Sequence, residues 1–291
     1  MKTEGRRESE NVEDRRGQSG RMPMGRAGGV GGLGLIVVVI LALVFGVDPR
    51  QLLGGLDAGS GGQTTTGPAE PYQESAEEAA RSSFIKVVLA DTEDTWSAIF
   101  QASGKQYPAP TLVLFRDQVD SACGFAQSAA GPFYCPRDQK VYLDLSFYDE
   151  MAGKLGAKGD FAFAYVVAHE VGHHIQTLLG TSGQVQQARQ RASEQESNEL
   201  SVRLELQADC YAGVWANRTE KQKHVLEPGD IDEAMNAAAA VGDDRLQKAA
   251  QGYVVPESFT HGTSAQRAKW FNAGFANGDI GNCDTFNARD L

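Results

Sequence analysis

His169, Glu170 and His173 stand in the run His-Glu-Val-Gly-His. Two histidines four residues apart lie on one face of a helix, so both imidazoles can present a nitrogen to one point. A zinc ion accepts two such nitrogens at roughly 2.0–2.1 Å. The carboxylate one residue after the first histidine then reaches a water held by that ion and can take its proton. His174 projects about 100° away from His173 and reads as a packed or surface histidine outside the site.

A catalytic zinc ordinarily takes three protein ligands and keeps one open position. The best source of the third is Leu204-Glu-Leu-Gln-Ala-Asp-Cys-Tyr-Ala-Gly213, where Glu205 and Asp209 share a helix face among apolar neighbours. A buried carboxylate needs a partner, and a metal or a histidine N–H supplies one. The expected arrangement puts Glu205 on the zinc and gives Asp209 the second ring N–H of a ligating histidine. The exchange of those two roles is the alternative.

These residues must be carried on helices. Asp160 to Gly180 has an acidic start, a glycine stop and no proline, and its apolar residues surround more than one face. Gly172 within it implies close packing against another backbone, since glycine costs a helix about 1 kcal/mol relative to alanine. Further helices are expected at Ala76–Phe100, Val185–Asn217, Asp230–Ala240 and near Ser264–Ala276, with strands at Thr111–Phe115 and Val141–Phe147. The fold class is α+β, helix-dominated.

The motifs resemble those of gluzincins, zincins whose third ligand is a glutamate. More narrowly, the chain from about Phe84 to Phe286 resembles the bacterial family of putative neutral zinc metallopeptidases. The resemblance runs through Ala122-Cys-Gly124, Gly131-Pro-Phe-Tyr-Cys-Pro136, Val141-Tyr-Leu-Asp144, His169-Glu-Val-Gly-His-His174, Glu205-Leu-Gln-Ala-Asp-Cys-Tyr-Ala-Gly213, Thr260-His-Gly-Thr-Ser-Ala-Gln-Arg267 and Gly281-Asn-Cys-Asp-Thr-Phe286. It implies a zincin-like domain with one Zn2+ on His169, His173 and Glu205, and Glu170 as general base in peptide-bond hydrolysis. The substrate class it implies is a protein or peptide, with none more narrowly defined.

Thr260-His-Gly-Thr-Ser-Ala-Gln-Arg267 also resembles the T-H-P-x-x-x-x-R segment of membrane-associated zinc peptidases, with Gly262 in place of the proline. That resemblance implies that His261 donates to the oxyanion, with Arg267 bracing the loop by pairing with a carboxylate. A helix-capping loop with an incidental histidine is the alternative. His224 lies in a polar run and reads as solvated. An extended substrate would pair with an edge strand beside the site helix. Lys140–Phe147 is the candidate, an interior place in the sheet being the alternative.

The remaining sequence addresses the domain. Residues 1–29 form a polar, basic segment expected to be unstructured and cytoplasmic. Val30–Val47 is eighteen residues without a charge and reads as a transmembrane signal anchor. Basic residues on its N-terminal side predict a cytoplasmic N-terminus and an extracytoplasmic catalytic domain. Residues 48–75 read as a Gly/Ser/Thr-rich linker, and 76–291 as the metallopeptidase domain. All four cysteines fall in that domain, which suggests two disulfides in an oxidising compartment. Three pairings are possible. Cys123–Cys135, closing a short loop, and Cys210–Cys283, tying the last helix to the ligand helix, are favoured.

The net charge is −11, and removing the seven basic and five acidic residues of positions 1–29 leaves −13. An acidic domain without a basic patch is not expected to bind nucleic acid. Two function classes remain: a membrane-anchored zinc metalloendopeptidase, or a non-catalytic extracytoplasmic binding or assembly module with a structural zinc. Glu170 distinguishes them, because a purely structural site needs no base.

Overall fold

The computed structural model describes residues 1–17, 72–127 and 131–291. The expected anchor, Val30–Val47, and most of the expected linker lie outside the described residues. Among those described, no helix is long and apolar enough to cross a membrane.

The architecture is α+β with helices dominant. A four-stranded sheet runs in the order β1 (Val12–Asp14), β2 (Thr111–Phe115), β6 (Lys140–Asp144), β5 (Phe133–Cys135). The first three strands are parallel, and β5 runs antiparallel to β6. β3 (Gln118–Ser121) and β4 (Gly124–Gln127) form a separate hairpin. β2 and β6 read as near-continuous apolar runs because both faces are covered, Leu112, Leu114, Val141 and Leu143 by helices and Val113, Phe115 and Tyr142 by Val119 and Ala126 of the hairpin and Phe133 of β5. Helix α1 (Ala76–Ala102) starts at a reciprocal cap between Ser75 and Glu78 and buries Ile85, Leu89, Trp96 and Phe100. Phe147–Glu150 (α2) continues as a single π-type turn to Leu155.

The helical layer comprises α3 (Asp160–Leu179), α4 (Thr181–Arg189), α5 (Glu194–Lys223), α6 (Asp230–Ala240), α7 (Asp243–Gln251) and α8 (Ser264–Asn277). The single helix expected over 185–217 is therefore two. The chain breaks at residues 190–193, where Ser193 caps α5 through a reciprocal bond with Glu196. Helix α7 has no counterpart among the expected elements.

Two close approaches set the spacing of the helices. A Cβ at Gly172 in α3 would lie 3.0 Å from the carbonyl oxygen of Ala208 in α5. Where α5 crosses α8, a Cβ at Gly213 would fall 2.0 Å from the Phe271 carbonyl oxygen, and one at Gly274 would fall 1.9 Å from that of Cys210. Backbones touch at both crossings, so no larger residue fits without separating the helices. Cys210–Cys283 then ties α5 to the segment after α8, and Cys123–Cys135 ties the hairpin turn to β5. Both are the favoured pairings.

The N-terminal segment differs from its expectation. Residues 1–17 are folded against the rest, not unstructured. β1 pairs with β2 at Val12–Leu112, Glu13–Val113 and Asp14–Leu114. The Met1 side chain is buried, and its ammonium lies 2.8 Å from Asp160 at the start of α3 and 3.4 Å from Asp230. The composition that suggested disorder, rich in Arg and Glu, instead finds acidic partners on α1. Arg6 pairs with Asp91, and Arg7 with Glu93 and Asp94.

Candidate metal centre and active site

Helix α3 carries His169 and His173 on the face turned toward α5, which carries Glu205 and Asp209 one turn apart, and Glu170, one residue on, meets the backbone of Tyr134 in β5. The crossing at Gly172 and Ala208 is close enough for side chains of the two helices to meet. Nε2 of His169 lies 3.2 Å from Oε2 of Glu205, and Nε2 of His173 lies 3.5 Å from Oε1. Donor atoms of these three residues all fall within 4.8 Å of one another.

The opposite ring nitrogens are taken. Nδ1 of His169 is 2.8 Å from Oδ1 of Asp209, and Nδ1 of His173 is 2.9 Å from the amide oxygen of Gln176. The Gln176 amide nitrogen donates to the Leu204 carbonyl at 2.6 Å, which fixes its oxygen as the atom facing the histidine. Each imidazole thus gives its Nδ1 proton away and turns Nε2 toward an oxygen of Glu205. Two imidazole nitrogens and a carboxylate converging on one point, with the far ring nitrogens held by other acceptors, are a donor set that fits a zinc ion.

Asp209 is 0% exposed and accepts four hydrogen bonds. Beside His169 these come from the Tyr165 hydroxyl at 2.5 Å and from Arg267, whose Nε and Nη2 reach it at 2.8 and 2.9 Å. Burial alone would raise its pKa. The Arg267 guanidinium and His169 overcome that and hold it below the usual carboxylate range. For His169, burial disfavours the charged form, but Asp209 and then Glu205 outweigh it and raise the pKa to about 10. Glu170 is displaced upward, chiefly by burial, against the pull of His173, His169 and the Tyr134 backbone N–H.

His261 sits in the loop before α8, and its charge is felt at Glu205. The loop is built around Asp243, the first residue of α7. Oδ2 of Asp243 accepts the backbone N–H of Thr260, His261 and Gly262 at 2.7, 2.6 and 3.0 Å, and Oδ1 lies 3.1 Å from Nδ1 of His261. Gly262 has a φ of +87° and donates its N–H. Proline has neither the conformation nor the donor, so glycine here goes with this loop geometry. Arg267 does not brace the loop as expected. It braces Asp209, and Asp243 holds the loop.

The strand expectation is also corrected. β6 lies between β2 and β5 and is interior, and β5 is the terminal strand next to α3. His174 is fully buried, hydrogen-bonded to the Tyr134 hydroxyl and the Pro108 carbonyl, and takes no part in the metal cluster. His224 is exposed, with an 83% accessible side chain. Tyr165, Gln176 and Asp243 were not anticipated. Gln176 had a signal, standing three residues after His173 on the same helix face. Asp243 had none, because eighteen residues separate it from His261.

Two imidazoles and a carboxylate from crossed helices, with a buried glutamate beside the first imidazole, are a set that could hold a zinc ion. The chain belongs to the family described as Putative neutral zinc metallopeptidase, which matches residues 1–286. It is 53% identical over 291 residues to the uncharacterized protein YpfJ of Escherichia coli (strain K12), covering 98% of this chain and 99% of the relative. It is 42% identical over 260 residues to the uncharacterized protein Rv2575 of Mycobacterium tuberculosis (strain H37Rv), covering 86% of each. No solved structure matches the chain.

Proposed function

We propose that the protein is a zinc-dependent metalloendopeptidase that hydrolyses peptide bonds in proteins or peptides. The observation that carries this reading is the convergence of His169, His173 and Glu205 beside Glu170. His169, His173 and Glu205 would hold the zinc. When bound, the ion supplies a Lewis acid that activates water and polarises the scissile carbonyl.

The chain's own groups do the rest. Glu170 takes the proton of the attacking water and passes it to the leaving amine. Its buried carboxylate, raised toward neutrality, suits both halves of that transfer. His261 donates to the oxyanion. Asp243 orients it and, against the effect of burial, raises its pKa, which favours the imidazolium. Substrate backbone adds beside β5, the terminal strand among the described residues, so binding depends on main-chain pairing more than on sequence. Attachment to a membrane is supported by the uncharged run Val30–Val47, and placement in an oxidising compartment by the two disulfides.

Glu170→Gln is the test. The variant should bind one zinc per chain and lose about 10²–10⁴-fold in cleavage of an unfolded protein. Unchanged cleavage would sink the role of Glu170, and purified wild type unable to bind zinc would sink the site.

A further inference from the structure

The largest departure from expectation is the N-terminal segment, and it bears on how the protein meets a membrane. Residues 1–17 are held by both backbone and side chains. Leu112 N donates to Asn11 O at 2.9 Å, Arg15 N to Leu114 O at 2.7 Å, and Ser9 N to Lys86 O at 3.0 Å. β1 thereby occupies the edge of β2 in the same sheet as the strands beside the site.

The side chains make the segment part of the domain's electrostatics. Glu93 on α1 is 8% exposed, and its hydrogen bonds come from Arg7, Ser9 and Asn11. Asp91, buried beside it, is shared between Arg6 and Lys223. A buried carboxylate stripped of such partners costs several kcal/mol, so α1 in this form requires the segment. Glu13 reaches Lys140 on β6 at 2.5 Å. Buried Arg16 pairs with Glu74 at 2.6 Å and lies 5.2 Å from the centre of the Tyr72 ring.

The last contacts locate both ends of the intervening chain. A Cβ on Gly17 would lie 2.9 Å from that of Tyr72, so the chain leaves the domain and rejoins it at one point. Residues 18–71 contain one long uncharged run, Val30–Val47. A single crossing there would place Gly17 and Tyr72 on opposite sides of a hydrocarbon layer about 30 Å thick. Contact between them and a single crossing are incompatible.

We propose that residues 1–17 are a structural part of the catalytic domain and lie on the same side of the membrane as residues 72–291. This replaces the arrangement with a cytoplasmic N-terminus and an extracytoplasmic domain. It is independent of whether the site hydrolyses peptides. Positive charge ahead of the run, which suggested opposite sides, is accounted for at Arg6, Arg7 and Arg16 by intramolecular carboxylates.

The test uses the full chain in its membrane. All four cysteines are in disulfides, so a single added thiol is the sole target of a membrane-impermeant maleimide. Glu10 and Lys248 are exposed, and Glu10→Cys and Lys248→Cys report on the two parts. In spheroplasts the two variants should label alike, both before lysis or both only after it. Labelling of one before lysis and of the other only after would overturn the proposal. In the purified full chain, amide exchange at Ser9 and Arg15 should be slowed about a hundredfold or more relative to a free peptide. Exchange at the free-peptide rate would overturn the packing even if labelling matched.

Discussion

His169 and His173 face the same point, yet the groups behind them differ in kind. Behind His169 stands an ion: Asp209, fully buried, locked by both Arg267 nitrogens and the Tyr165 hydroxyl. Behind His173 stands a neutral amide, Gln176, whose own nitrogen is spent on the Leu204 carbonyl and on Gln207 at 3.2 Å. Gln207 in turn donates to the carbonyl of Cys283 at 3.0 Å, next to the disulfide that joins it to α5. One arm tunes the ligand by charge, and the other positions it by geometry. The count of charges gives a reason for the asymmetry. Glu170, Glu205 and Asp209 carry three negative charges, and a zinc dication with Arg267 balances them. A second carboxylate in place of Gln176 would leave a net negative charge in a site from which water is largely excluded.

Removing the charged arm has the largest expected effect. Asp209→Ala leaves the Arg267 guanidinium, 3% exposed, without its partner. Breaking a buried pair from one side costs about 3–5 kcal/mol. Zinc affinity should fall about 10–100-fold, as for lost partners of metal-bound histidines generally. Urea unfolding and competition with a chelator measure the two. If Asp209→Ala is no worse than Gln176→Ala in both, the distinction between the arms is wrong.

Gly172→Ala acts on both arms together. The added methyl meets the Ala208 backbone, which cannot swing aside as a side chain would, so α3 and α5 must separate. Overpacking of this kind costs about 1–3 kcal/mol. Because both histidines move relative to Glu205, zinc affinity should drop without a change in the charge of either arm.

Gln176→Ala tests the neutral arm alone. It removes one hydrogen bond from His173 and one from the Leu204 carbonyl, worth about 0.5–1.5 kcal/mol each. Zinc affinity should fall toward the lower end, about 10-fold. Gln176→Met, similar in size without the amide, should fail to restore it. Restoration by Met would mean that Gln176 only fills space.

Much of this site was legible because helical spacing is a strong constraint. His169 and His173 share a face by arithmetic, with Glu170 one residue on, and Glu205 and Asp209 share one on a second apolar helix. Gly172 announced a close crossing, though not that Ala208 was its partner. The helices and β2 were legible for the same reason, their patterns being long or bounded by caps. What escaped depended on contacts far apart in sequence. Asp243 meets His261 only after α7 folds back, and β5 becomes the edge strand through a three-residue pairing too short to show periodicity. The N-terminal segment misled because its charge-rich composition is that of a solvated tail. Its partners, Asp91, Glu93 and Asp94, lie about eighty residues away on a helix whose acidic residues look solvent-facing until Arg6 and Arg7 cover them.

Asp243 and His261 repeat the charged arm's chemistry outside the metal cluster, and here pH separates charge from geometry. Burial opposes protonation of His261, but the hydrogen bond to Asp243, the charge of Glu205 and the charge of Asp243 prevail and hold its pKa above the ordinary 6.5. With Nδ1–H given to Asp243, neutral His261 has a bare Nε2 and cannot donate to an oxyanion. Only the imidazolium can. Activity supported by His261 is therefore present below its pKa and lost as pH rises through it. Asp243→Asn keeps an oxygen for the Thr260, His261 and Gly262 N–H groups but removes the charge. His261 should then titrate at lower pH. Because the Asn amide N–H now donates to Nδ1, neutral His261 carries Nε2–H and can still reach the oxyanion, so the alkaline limb of kcat/KM should flatten. The two proteins should converge only where the pH is low enough to charge His261 in both. A bound zinc lowers the His261 pKa in both proteins, so their difference isolates Asp243. A limb that stays in place while activity falls uniformly at every pH would make Asp243 a builder of the loop and nothing more.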